Sequence, residues 1–153
     1  MQMAASDALV ASFMNKYLYK LWRPETGIHN GAADGDSKTE GDDSFTTFIG
    51  TPCFPSYPSN HASGTSAGLE VLRRTFGAAG HSIEITNTVP ALGLLPGAVI
   101  TLKYGQLAGI GADVDDARVY AGIHWRSDQV AGSALGRAVA TEVVKNNLRA
   151  THP

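Results

Sequence analysis

The sequence predicts an all-α fold, one helical bundle occupying residues 1–153. Three observations predict it. Apolar residues recur at three- and four-residue steps in the first, middle and last parts of the chain, which is the period of a helix face. The segments between them are rich in Gly, Pro and polar residues. Hydrophobic residues make up 43% and charged residues 17% of 153 residues, a balance that supports a buried core and not a disordered chain.

Taken in order, Ala4 to Trp22 reads as the first helix. Leu9, Phe13, Tyr17 and Leu21 recur every four residues, and Val10, Met14 and Leu18 widen that apolar stripe. Pro24 and Gly27 stop it. Residues 30–44, NGAADGDSKTEGDDS, form a flexible, solvated polar loop; they lack the alternating acids and closing Glu of an EF-hand. Thr51 to Pro58 holds three prolines and reads as a stiff extended lead-in. A second helix runs from Ser59, a good N-cap, to Phe76, with Leu69, Leu72 and Phe76 as its stripe and Gly77 at its end. Ser82 to Thr88 alternates like a short strand or extended loop. Pro96-Gly97 opens a third helical stretch to about Gly109, Asp115 to Ile123 is a short helix, and Ser127 to Leu148 is the last. Its buried side carries Val130, Leu135, Val139 and Val143.

Several function classes are excluded. A net charge of −2 offers no basic excess for a nucleic-acid backbone, so any anion site is local. The one cysteine, Cys53, permits no internal disulfide or thiolate zinc site. The longest apolar stretch, Val89 to Ile100, contains two prolines and falls short of the roughly 20 apolar residues a membrane span needs. Met1 to Val10 has no signal-peptide pattern, so the chain is expected to be soluble.

Three segments carry chemistry. Lys16 and Arg23 are seven apart, close to two helical turns. Pro58-Ser59-Asn60-His61 opens a helix, whose N-terminal N–H groups and positive dipole end suit an anion. Arg118, His124 and Asp128 follow a six-then-four spacing. Together these offer three cations, a helix start and two histidines, an inventory for holding a tetrahedral oxyanion and passing protons to it. Singly, each residue has a plainer reading: Lys16 and Arg23 as surface cations, Ser59 as a cap. Tyr120 and Trp125 read as core, Arg73, Arg74 and Arg126 as solvated or structural. His29, His81 and His152 receive no role.

These motifs resemble those of the vanadium-dependent haloperoxidase and type-2 phosphatidic acid phosphatase superfamily. Lys16, six residues, then Arg23-Pro24 is similar to its first motif; Pro58-Ser59-Asn60-His61 to its Pro-Ser-Gly-His; Arg118, five residues, His124, three residues, Asp128 to its third. Asn60 stands where the family has glycine, and Ala117 where it has serine. The resemblance implies a helical bundle of the acid phosphatase/vanadium haloperoxidase type, without the helices that members place before the first motif. It implies that Lys16, Arg23, Ser59, Asn60 and Arg118 bind vanadate or phosphate, with Lys16, Arg23 and Arg118 on its equatorial oxygens. His124 would be the axial vanadium ligand, or the nucleophile of a phosphatase, oriented by Asp128; His61 would be the acid–base group. Phe54 falls where chloroperoxidase-like members have phenylalanine. The expected function is therefore halide oxidation by hydrogen peroxide on vanadate. The alternatives are a soluble acid phosphatase working through phosphohistidine, and a non-catalytic phosphate-binding module. A zinc site from His61, His124 and Asp128 is a weaker idea, because it leaves the cations unexplained. The expected partners are small molecules, together with a second copy of the chain or an N-terminal segment that completes the core.

Overall fold

A computed structural model describes residues 1–89 and 96–147. In chain order it contains α1 (Gln2–Tyr19), α2 (Pro24–His29), a 3-10 turn (Gly31–Ala33), α3 (Asn60–Phe76), β1 (Ala79–Thr88), β2 (Val99–Gln106), α4 (Leu107–Tyr120) and α5 (Arg126–Asn146). The fold is mostly helical, with one small antiparallel sheet. α3 lies at the centre and packs against α1, α4 and α5.

The helices meet through small side chains. Ala4 and Ala8 of α1, Ala67 of α3 and Ala140 of α5 form a buried apolar cluster, with Val71, Val139 and Val143 packed against it. Gly132 and Gly136 let α5 touch the backbone of α3. A Cβ at Gly132 would stand 2.6 Å from the Ser59 carbonyl oxygen, and one at Gly136 would collide with the carbonyl of Ser63. Gly132 to Ser59 and Gly136 to Ser63 advance together, so α3 and α5 run parallel and bring their N-termini to one end of the bundle.

Several sequence expectations need correction. α1 ends at Tyr19, with Lys20 in the left-handed region at φ 51°, and Pro24 starts a new helix by occupying its first turn. The apolar stripe of α1 faces outward: Val10, Met14, Tyr17 and Leu18 are exposed, while Ala4, Ala8, Ser12 and Lys16 are buried. Phe76 and Val130 are exposed as well, as is Tyr120, which was expected in the core. The helix expected from Pro96 to about Gly109 is instead mostly β2. Val99, Ile100 and Thr101 are β-branched, and such residues lose less in a strand than in a helix. They find a partner in β1, in a register running from Ile83 opposite Tyr104 to Thr88 opposite Val99. α4 starts eight residues before the expected Asp115. The strand expected at Ser82 to Thr88 is present and longer. α5 matches its expected span to within a residue or two, and position 148 lies outside the described residues, as does half of the stretch from Val89 to Ile100. Among the described residues no helix is long and apolar enough to cross a membrane.

Candidate oxyanion site

The shared N-terminal end of α3 and α5 gathers the charged residues. Ser59 caps α3, its Oγ accepting from the Ala62 N–H at 3.3 Å, while its own N–H donates to the Asp128 carbonyl at 3.0 Å. Asn60 and His61 lie in the first turn, where backbone N–H groups have no intrahelical acceptor. The glycine-to-asparagine departure causes no crowding here. Asn60 is ordinary helix, and its Oδ1 turns back to accept from Ser12 Oγ at 2.6 Å.

Lys16 is wholly buried, and its ammonium donates to the carbonyls of Pro55, Ser56 and Pro58 at 2.9, 2.8 and 2.6 Å. This explains the proline-rich lead-in: a stiff, irregular segment leaves carbonyls unpaired by any ladder, and a buried cation collects them. Arg23, also buried, donates from Nε to Phe54 O at 3.0 Å and from Nη1 to Ile123 O at 2.8 Å. The Phe54 ring stacks near both cations, 5.4 Å from Lys16 Nζ and 5.1 Å from the Arg23 guanidinium.

α4 ends in a tight turn. Gly122 adopts φ 75°, a left-handed conformation that glycine takes without strain, and its N–H bonds back to Val119 O at 2.9 Å. The turn buries Ile123 and sends His124 inward. His124 Nδ1 lies 2.9 Å from Asp128 Oδ2, which also accepts from Ser56 Oγ at 2.5 Å and from the Trp125 N–H at 3.0 Å. On the other side of the ring, Nε2 lies 3.0 Å from Arg23 Nη1. A guanidinium only donates, so Nε2 carries the lone pair and Nδ1 the proton that goes to Asp128.

The protonation states follow the surroundings. Burial opposes ionisation of Asp128, but the hydrogen bonds from His124, Ser56 and Trp125 outweigh it and hold the carboxyl below its usual range. Burial drives His124 down to about 4; the Asp128 hydrogen bond opposes this and Arg23 and Lys16 add to it. The His124–Asp128 contact is therefore a hydrogen bond of a neutral imidazole at neutral pH. Burial also lowers Lys16 to about 7, with Arg23 and Arg118 pushing the same way and Asp128 against them. Arg23 falls to about 10, through burial and Arg118, again against Asp128. Burial lowers Arg118 too. Exposed His61 is lowered by desolvation and then by Arg118, Arg23 and Lys16 together, which places it within reach of all three charges.

Every residue singled out in the motifs thus reaches one end of the bundle. No described ion pair joins Lys16, Arg23 or Arg118 to an acid, and the Nε of Arg118 is buried without a hydrogen-bond partner among the described residues. A cluster of cations with one carboxylate that none of them contacts, an orphaned guanidinium N–H and a helix start fits a tetrahedral oxyanion such as vanadate or phosphate. The zinc alternative finds no support: among the described residues no group of three His, Cys, Asp or Glu is disposed to hold a metal. Sequence reasoning missed Ser56, buried between His124 and Asp128, and Ser12, which anchors Asn60. The only signal for Ser56 was its place between prolines. Trp125, expected in the core, is partly exposed, and its indole N–H donates to Trp22 O at 2.9 Å.

Fold and site together define a mostly helical bundle with three cations and two histidines gathered at one end. The chain belongs to the family described as the VCPO second helical-bundle domain, which matches residues 1–152. It is 29% identical over 84 residues to vanadium chloroperoxidase of Curvularia inaequalis, a match covering 48% of this chain and 13% of that protein. Among solved structures it is similar to a bacterial vanadium-dependent iodoperoxidase, with 28% identity, a TM-score of 0.72 and 93% of this chain covered. The holo form of a bacterial vanadium-dependent chloroperoxidase, 18% identical with a TM-score of 0.73 over 90% of this chain, shares the fold. The chain spans 31% and 32% of the lengths of those two solved chains.

Proposed function

We propose that this chain forms the vanadate site of a haloperoxidase, where hydrogen peroxide oxidises halide. The observation that carries the reading is the charge arrangement: Lys16, Arg23 and Arg118 lie within electrostatic reach of one another and of His61, none paired with an acid among the described residues, beside a histidine whose Nε2 bears a lone pair. Arg23, Arg118, Ser59 and the first-turn N–H groups at Asn60 and His61 would hold the anion, Lys16 would add its charge while its three N–H groups stay on the backbone carbonyls, and His124 Nε2 would be the protein ligand to vanadium. When bound, vanadate supplies the Lewis acidity that activates hydrogen peroxide toward halide.

The chain's own residues do the rest. Asp128 keeps the Nδ1 proton of His124 in place and so keeps Nε2 unprotonated. Ser56 and the Trp125 N–H fix that carboxylate. His61, held neutral by its desolvation and the three neighbouring cations, can take a proton from hydrogen peroxide at a ring nitrogen and release it to a departing oxygen. Phe54 walls the cations from solvent.

The test is reconstitution with orthovanadate, followed by peroxide-dependent bromination of a dye. Vanadate-dependent turnover is expected, falling to background in His124→Ala. Hydrolysis of phosphate monoesters without vanadate-dependent bromination would make the protein a phosphatase with His124 as nucleophile. Phosphate binding with neither turnover would make it a binding module.

A further inference from the structure

Gln129 is completely buried, and neither its Oε1 nor its Nε2 has a hydrogen-bond partner among the described residues. A buried primary amide left unpaired costs several times what it would contribute if satisfied, so native structures rarely retain one without a use. The position of Gln129 suggests that use. Ser133, one turn along the same face of α5, donates to Asp115 Oδ2 on α4 at 3.0 Å. α4 leads into α5 through the short turn at residues 121–125, so the two helices run in opposite directions from that contact. One turn toward the turn from Asp115 stands Arg118, and one turn toward it from Ser133 stands Gln129. Side chains on a helix lean toward its N-terminus, which for α5 is the site end. Arg118 Nε and Asp128 Oδ1 are likewise buried without a hydrogen-bond partner among the described residues.

We propose that Gln129 is a positioning residue for Arg118: through one enclosed water its Oε1 takes up the Arg118 Nε–H, and so aims the guanidinium into the oxyanion site. The proposal rests on the oxyanion reading for its purpose, but not for its test. Gln129 reaches neither the anion nor the reacting atoms.

The experiment compares the wild type with Gln129→Met, which keeps the side-chain length and removes both polar atoms. Hydrogen exchange of the Arg118 Nε–H, followed by ¹⁵N NMR of the arginine side chains, is expected to be slow in the wild type and at least about tenfold faster in the variant, while the Arg23 Nε–H stays unchanged. Equal exchange of the Arg118 Nε–H in both proteins would overturn the proposal, whether or not any anion binds. Calorimetric titration with orthovanadate is expected to show about tenfold weaker binding in Gln129→Met with thermal stability unreduced, and no further loss when Gln129→Met is added to Arg118→Lys. Additive losses in that double variant would make Gln129 merely structural. If the wild type binds neither orthovanadate nor phosphate, the oxyanion reading fails while the exchange result still decides the role of Gln129.

Discussion

The two ends of α3 use the same residue types in opposite ways. At its C-terminal end Glu70, nearly buried, is clasped by Arg73 Nη2 at 2.7 Å and Arg74 Nε at 2.6 Å, both arginines reaching out toward solvent. There the carboxylate is spent in direct ion pairs, and the one cationic charge in excess is turned to solvent. At its N-terminal end Asp128 is equally buried, yet its partners are a neutral imidazole, a hydroxyl and a backbone N–H. The nearby cations are held by backbone carbonyls, which are dipoles and leave their charge uncancelled. A structural ion pair consumes charge; a binding site conserves it. Burial first, and the neighbouring cations after it, depress Lys16, Arg23 and His61, and an anion would offset the second of these.

The largest expected effect comes from breaking the charged end. Lys16→Met removes the ammonium that satisfies three buried carbonyls. Each buried acceptor left unpaired costs about 1–3 kcal/mol, so the loss is about 3 kcal/mol or more. Denaturant unfolding measures it, and calorimetry should find no orthovanadate binding in whatever remains folded. A variant with unchanged stability would mean that the carbonyls are satisfied by water and that the cation is not what organises the lead-in.

The neutralised end should respond to pH and leave the site alone. The hydrogen bond from Arg73 chiefly, opposed by desolvation and helped by Arg74, holds Glu70 down at about 2, against an ordinary value of 4.5. A carboxyl with a depressed folded pKa contributes stability that is present above the unfolded value and is lost as pH falls through the folded one. The window is therefore from about 4.5 down to about 2, and the arginines' exposure limits the contribution to about 2 kcal/mol. Glu70→Gln should flatten stability across that window and leave orthovanadate affinity at pH 7 unchanged. A change in affinity would show that the two ends are coupled through α3.

How far the sequence could be read follows the same division. The charged residues were legible because charge and spacing are carried by the residues themselves: Lys16, Arg23, His124 and Asp128 announce a site whichever way the helices pack. The core was less legible. The most apolar stripe of α1 is its outer face, and its buried face is Ala4, Ala8, Ser12 and Lys16, since close helix packing selects small side chains. Periodicity reports that a helix has two faces and not which one is turned inward. β2 was misread for a related reason. A short apolar run following Pro-Gly is ambiguous until a pairing partner is known, and β1 lies across a connection that propensity does not see. Gln129 left no trace in the sequence, and Ser56 only its place between prolines, because their importance lies in what surrounds them.

The outer face of α1 supplies the smallest expected effect and separates the site from its setting. Met14 and Leu18 are 71% and 72% exposed, one turn apart, with Val10 and Tyr17 exposed beside them. Isolated exposed apolar residues need no explanation, but a continuous stripe marks a contact surface. We propose that it packs against a further helical segment of the kind for which the longer relatives have room; those solved chains are about three times the length of this one. Met14→Glu with Leu18→Lys removes no buried contact of this chain, so its unfolding free energy should change by less than about 0.5 kcal/mol and its orthovanadate affinity not at all. A complementing helical segment should then bind the unchanged chain and not the double variant. Concentration-dependent light scattering that disappears in the double variant would assign the face to a second copy instead. A loss of anion affinity would mean that the apolar side of α1 supports Lys16 on the other, and that the two faces of this helix are not independent.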